Sequence, residues 1–258
     1  MKNNIVLLLF VHLLPLCVNA LNTELSVAAE LSKCVYSKEQ WDERKQGIWQ
    51  AIEDGVSTVD IQEYGTWGHT PLAVAVCHND MAYAEELLKK KANPNFELQD
   101  TLYNRIIFAA QSVAMLQLLE KYGADLKASY FGLPWKAGMN LLHSSISCLT
   151  RDEHIFDYCL TKGLDAHRVT VKGDTLWHSL ARHASQCPEK YFIKRAQQLH
   201  ALKVSSRALN QDSKSVIDEI QDHIQNNKIN PIDLDTKSEI KNKLENFIKI
   251  VKNPGKPI

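Results

Sequence analysis

A short pattern returns about every 35 residues through most of this chain. It is clearest at Gly68-His69-Thr70-Pro71-Leu72-Ala73-Val74-Ala75. Weaker copies follow at Tyr103-Asn104-Arg105-Ile106-Ile107-Phe108-Ala109, Met139-Asn140-Leu141-Leu142-His143, Asp174-Thr175-Leu176-Trp177-His178 and Lys214-Ser215-Val216-Ile217. The polar residue that opens each copy stands at 70, 104, 140, 175 and 215, so the spacings are 34, 36, 35 and 40. A period of this length describes a solenoid of small supersecondary units. No single unit can bury its own apolar face, and stacking supplies the core.

Each copy also has a second half. Glu85-Glu86-Leu87-Leu88 leads to Lys91-Ala92-Asn93-Pro94-Asn95, and Leu116-Gln117-Leu118-Leu119 leads to Gly123-Ala124-Asp125. Phe156-Asp157-Tyr158-Cys159-Leu160 leads to Gly163-Leu164-Asp165, and Gln197-Gln198-Leu199 leads to Lys203-Val204-Ser205. Thr70 and Thr175 are good helix N-caps, and Pro71 suits a first helical position. Ala75 and Ala109 let two short helices approach closely. Leu87, Leu88, Leu118 and Leu119 put bulk on the inner face of the second helix, and Gly123 and Gly163 suit its left-handed end.

Taken in register, these residues resemble the ankyrin repeat over roughly residues 45–228. The resemblance implies an all-α fold: an ankyrin-type helical repeat solenoid of about four complete repeats with helical N- and C-terminal caps. A generic helical bundle would not need the recurring register. The expected organisation is a signal peptide over 1–20, an N-terminal helical cap with a degenerate first repeat over 21–67, repeats over 68–228, and a C-terminal amphipathic helix and tail over 229–258. In that last segment Thr236-Lys237-Ser238-Glu239 reads as a capping box opening a helix. Ile240, Leu244, Phe247, Ile248 and Val251 share one face, and Asn253-Pro254-Gly255 stops it. That face either packs on the last repeat or, with Lys237, Lys241, Lys243, Lys249 and Lys252 beside it, meets a partner or a membrane surface.

Residues 1–20 carry the grammar of a secretory signal: Lys2, an apolar run over 5–16, then Val18-Asn19-Ala20. The expected cleavage falls between Ala20 and Leu21, so that Leu21 opens the mature chain. The apolar run is about twelve residues, where a spanning helix needs about 20. Processing as a lipoprotein at Cys17 fits poorly after Leu16. The expected product is exported, periplasmic or secreted, with no membrane span after cleavage. Cleavage removes one of six Cys and leaves Cys34, Cys77, Cys148, Cys159 and Cys187. That number is odd, so at least one thiol lacks an intramolecular partner. Cys148 falls late in one first helix and Cys187 in the turn that follows the next, so they are the pair most open to a disulfide; the opposing reading is two small buried residues that stay reduced. The absence of an Asn-x-Ser/Thr sequon and the richness in Lys, Asn and Ile point to a bacterial protein.

The link between the second and third copies is long. Asp125 and Asn140 are 15 positions apart, where Asp165 and Thr175 are 10 apart. In an ankyrin stack such links form β-turn fingers. This one holds Tyr130, Phe131, Trp135 and Lys136, and an earlier link brings Tyr64 and Trp67 to the same side. Aromatic side chains with polar tips are favoured interface anchors, so these six residues are the expected partner-binding set. The opposing reading folds the rings back over the stack.

Chemistry is otherwise sparse. Lys+Arg and Asp+Glu are both 30, so the chain lacks the basic excess of a nucleic-acid binder. His143 and His178 hold the His position of the repeat and are expected to be structural. His178 and His183 are five apart and do not share a helix face as zinc ligands would. Asp152-Glu153-His154 is expected to cap a second helix. No Walker loop, nucleophile elbow or His-Glu-x-x-His occurs. The expectation is a monomeric, non-enzymatic protein with no catalytic, cofactor-binding or metal residues. It binds another protein, in the bacterial envelope or in a host. The alternatives are a periplasmic protective or structural partner of an enzyme, and an enzyme on a repeat scaffold.

Overall fold

The computed structural model describes residues 38–53, 60, 70–98, 104–131, 137–146, 152–184, 188–226 and 234–252. The chain divides into two compact units, 1–57 and 58–258. The described part of the first is one helix, α1 (Lys38–Glu53), with Ile48, Trp49 and Ile52 half-buried. Several sequence expectations fall outside the described residues. These are the signal segment with its cleavage residues Ala20 and Leu21, the aromatic and basic residues Tyr64, Trp67, Trp135 and Lys136, and the thiols Cys148 and Cys187. The structure therefore neither places Leu21 at a chain start nor pairs the two cysteines.

The second unit is a stack of helical pairs. α2 (Pro71–Cys77) pairs with α3 (Met81–Lys89), a 3-10 turn (Ile106–Ala109) precedes α4 (Val113–Lys121), α5 (Leu141–Ser145) pairs with α6 (His154–Thr161), α7 (Leu176–Arg182) with α8 (Glu189–Ala201), and α9 (Val216–Asn226) with α10 (Leu234–Lys252). Along the stack α2 meets the 3-10 turn, α5 meets α7, and α7 meets α9. On the other layer α3 meets α4, α4 meets α6, and α8 meets α10. Among the described residues there is no β-strand, only an isolated bridge between Glu97 and Arg105.

Each first helix opens where the repeated polar residue stands. Thr70 Oγ1 accepts from Ala73 N–H at 3.2 Å, and Pro71 fills the first helical position. Asn140 Oδ1 accepts from His143 N–H at 3.2 Å. Thr175 N–H donates to His178 Nδ1 at 3.1 Å, and Ser215 exchanges bonds with Asp218. The second copy departs from the pattern. Arg105, not Asn104, precedes the helical turn, and no side chain caps it. Only seven positions separate Arg105 from the next N-cap, Ser112, against ten between Thr70 and Asp80. A 3-10 turn rises about 2 Å per residue where an α-helix rises about 1.5 Å, so it crosses the same layer with fewer residues. Ile106, Ile107, Phe108 and Ala109 are all buried, so packing holds the turn without a cap.

The second helices end alike. After α3, α4, α6 and α8 a residue takes positive φ: Lys91 (71°), Gly123 (91°), Gly163 (73°) and Lys203 (57°). Each ending carries the two crossed bonds of a Schellman motif, for example Ala124 N–H to Leu119 O and Gly123 N–H to Glu120 O. Two residues on, Asn93, Asp125, Asp165 and Ser205 each accept the N–H of the second residue following, which turns the chain into the next link. Glu85–Lys121, Glu120–Lys162 and Glu153–Lys194 pair neighbouring repeats on the outer layer. Such exposed pairs contribute little each.

α10 completes the fold. Leu244, Phe247, Ile250 and Val251 are buried, and Phe247 stacks on Phe192 of α8 with ring centroids 3.6 Å apart. Of the two readings of its apolar face, the packed one holds. α10 stands as the second helix of a fifth pair and covers the open end of the stack. Its start corrects the sequence reading: the helix begins at Leu234, so Thr236 lies inside it and is not a cap.

Candidate functional site

The links between helical pairs project as fingers with a common frame. In the last two, Thr170 N–H bonds Asp174 O and Gly173 N–H bonds Thr170 O, and Asn210 and Ser213 repeat this through Lys214. In the longer finger Tyr130 N–H bonds Met139 O and Gly138 N–H bonds Tyr130 O. Tyr130, Thr170 and Asn210 are therefore equivalent, as are Gly138, Gly173 and Ser213. The excess of five residues lies between Tyr130 and Gly138, where 131–137 replaces the pair 171–172.

Neighbouring fingers are joined by single backbone bonds of 2.8 Å, Val171 N–H to Ala137 O and Gln211 N–H to Lys172 O. The approach is close. A Cβ on Gly138, which has φ +83°, would stand 2.9 Å from the Val171 nitrogen. Arg168 clasps the long finger from the next one, donating from Nε to Gly138 O (3.1 Å) and from Nη2 to Ser129 Oγ (2.5 Å). Deeper in, the fully buried Asp174 receives Asn210 Nδ2 at 3.0 Å and pairs with Arg182 at 2.7 Å. Glu219 of α9 reaches the same guanidinium at 3.2 Å. Burial alone would pull the Arg182 pKa down, and Asp174 and Glu219 more than offset it, so its charge is held. This cluster fixes two fingers to two first helices.

Both repeat histidines are structural, as expected. His178 Nε2 lies 3.2 Å from Lys214 O in the next finger. His143 Nδ1 lies 2.7 Å from Asn140 Oδ1 and 3.4 Å from the Asn140 nitrogen. Burial pushes His143 down to about 4, against the partial support of Asp174 and with Arg168 and Arg182 opposing a further positive charge. Asp152, two positions before α6 begins, accepts from the N–H of its first residue, His154, at 2.9 Å.

The long finger separates its two described aromatics. Tyr130 is 2% exposed and meets Phe108 edge-on at 5.7 Å. This corrects its place in the expected partner-binding set: it sits at the base of the finger, before the insertion, where the 3-10 turn supplies an apolar wall. Phe131, at the position of Val171, is the last residue before the insertion and is 63% exposed, with the Arg105 guanidinium 6.0 Å from its ring centre. Val169 (49%), Val171 (61%) and Leu209 (61%) are the other strongly exposed large apolar residues among those described. All four lie on the fingers. The sequence reading weighed only aromatics and missed the three aliphatics. Aligning each link on its Gly or Ser turn would have found them, since they interrupt otherwise polar or small positions.

Among the described residues no group of His, Cys, Asp and Glu is placed to hold a metal ion, and no helix is long and apolar enough to cross a membrane. No family model and no curated protein matches the chain. Its structure is similar to the crystal structure of an ankyrin repeat domain from Acinetobacter baumannii, with 14% sequence identity, 82% of this chain and 94% of that chain covered, and a TM-score of 0.51. The fold is thus an all-α helical repeat solenoid of the ankyrin type.

Proposed function

We propose that this chain is an exported, bacterial protein-interaction module without catalytic activity, that its mature form begins at Leu21, and that its long finger is the main binding element. The fold supports the interaction role, since a stack of helical repeats presents an extended surface built from many short units. The apolar run over 5–16 and the small residue Ala20 before Leu21 support export. One observation carries the binding element. The five extra residues, 132–136, follow a buried Tyr130 and a Phe131 that is 63% exposed. A large ring held in water by a rigid base is how an interface anchor stands before its partner arrives. The partner is another protein, in the cell envelope or, if the chain is released, in a host.

The test is capture of partners from envelope and host fractions by the full chain, then affinity measurement with Trp135→Ala and Phe131→Ser. Truncating a buried anchor commonly costs about 2 kcal/mol, so each change weakens binding by roughly thirtyfold. The melting temperature stays within about 1 °C, because both positions fall in a link between helices. A fall in melting temperature with unchanged affinity would return the finger to a packing role. Finding the native protein in the cytoplasmic fraction with Met1 intact, and not starting at Leu21, would remove export from the proposal.

A further inference from the structure

The first limb of each finger alternates, and its outward positions repeat at intervals of forty. Lys127, His167 and Arg207 form one row, Ser129, Val169 and Leu209 the next, and Phe131, Val171 and Gln211 the third. Ala128, Tyr130, Ala166, Thr170 and Asn210 point inward and are buried. Ser129 is covered by Arg168, so among the described residues of the long finger Phe131 alone supplies the apolar contact. The result is a strip across three fingers, with exposed Val169 and Leu209 in one row, exposed Phe131 and Val171 in another, and a basic row along one edge.

The basic row, Lys127, His167 and Arg207, makes no ion pair among the described residues, whereas Lys121, Lys162, Lys194, Lys214 and Arg182 each have a carboxylate partner. Two positions before each of the three stand Asp125, Asp165 and Ser205, whose side chains accept the backbone N–H of the basic residue and not its side chain. Scattered exposed apolar residues are ordinary, but four in register beside a row of unpaired basic residues are not.

From this we infer that the strip binds an extended segment of a partner protein that is both apolar and acidic; the inference rests on the reading of the chain as a protein-binding module. The geometry favours a linear occupant. Adjacent helices pack about 8–10 Å apart, so rungs recur at about that distance, which three residues of extended chain span at about 3.3 Å each. Apolar side chains of the segment seat over Val169, Leu209, Val171 and Phe131, and its carboxylates meet Lys127, His167 and Arg207. A phosphate backbone would satisfy the cations but leave the apolar rows against charge.

The experiment selects a displayed library of random twelve-residue peptides on the immobilised full chain. The enriched peptides are then titrated, by fluorescence anisotropy, into the wild type, Lys127→Glu with Arg207→Glu, and Val169→Ser with Leu209→Ser. The expected peptides carry Asp or Glu beside apolar residues spaced by three. Charge reversal weakens them about tenfold, the sum of two exposed ion pairs lost and two like-charge contacts made. The serine pair weakens them similarly, both variants keep the wild-type melting temperature, and the charge-reversed strip prefers Lys-containing peptides. Enriched peptides without acids, or peptides indifferent to both variants, overturn this inference and leave the binding-module reading standing. No enrichment at all overturns both. Tighter binding of single-stranded DNA or phosphatidylserine vesicles through the same residues overturns it in favour of that ligand.

Discussion

Acidification should loosen this protein through one imidazole. His143 is 1% exposed, and its pKa is pushed down from 6.5 to about 4, chiefly by burial. Its folded-state pKa is depressed, so the unfolded chain binds the proton more readily between those two values. Stability is therefore complete above about 6.5 and falls as the pH drops towards 4. One pKa step corresponds to about 1.4 kcal/mol, so the whole shift is worth about 3 kcal/mol, of which about 2 kcal/mol is lost between about pH 6.5 and 4.5. For a unit of this size that loss lowers the melting temperature by about 4–8 °C. The charged groups around the ring are Asp174 on the next finger, Arg168 and Arg182. Guanidinium groups do not titrate across this range and leave the sign unchanged. Urea unfolding of the full chain at about pH 6.5, 5.5 and 4.5 measures the slope. His143→Asn is the reference, because it lacks a group that titrates there. An equal slope in the variant, or an NMR titration of the folded protein placing His143 near its ordinary value, would refute the reasoning.

Three further perturbations probe the frame. Gly123→Ala places its Cβ in open space, so it costs only the left-handed backbone, about 1 kcal/mol in chemical denaturation, whereas Gly138→Ala must also push the Val171 backbone away and should cost more and disturb the neighbouring fingers. Phe247→Ala removes the ring stacked on Phe192 and should cost about 3–5 kcal/mol, with early exchange of α10 amides as the readout; a normal exchange pattern would contradict its covering role. Arg195 is fully buried over the Phe156 ring (4.5 Å) and bonds Tyr191, Gln198 and Asp157, so Arg195→Leu should cost about 3 kcal/mol in a denaturant melt, and an unchanged midpoint would show that packing alone suffices there.

The repeats were legible because their signals are local. Thr70-Pro71, Gly123 and Gly163 state a cap, a first turn and a left-handed ending within a few residues. Lys91 and Lys203 stand where glycine would be expected and still adopt positive φ, because the two crossed bonds of the ending over-determine the backbone. The 3-10 turn was not legible. Ile106, Ile107 and Phe108 have the composition of a helix in this position, and only the short span to Ser112 reveals that a full α-helical pair of turns cannot be accommodated. Tyr130 and Phe131 show the limit at the site. They are adjacent and both aromatic, yet one is core and the other surface, because a finger limb alternates sides and the phase is set by the Tyr130 bonds to Met139 and Gly138 across the insertion.

Those same bonds explain how a stack of weak units can present a precise edge. Neighbouring fingers share one backbone bond, and Arg168, Asp174 and Arg182 add side-chain ties that run from finger to finger and down to the first helices. On the proposed reading, a finger tied in this way loses little further freedom when a partner settles on it, so less of the contact energy is spent on ordering. The long finger has the same tied base and differs in the five residues inserted after it. Lengthening the finger there leaves the register of the stack untouched. In a solenoid whose repeats contact only their neighbours, that is the position where new recognition costs the fold least.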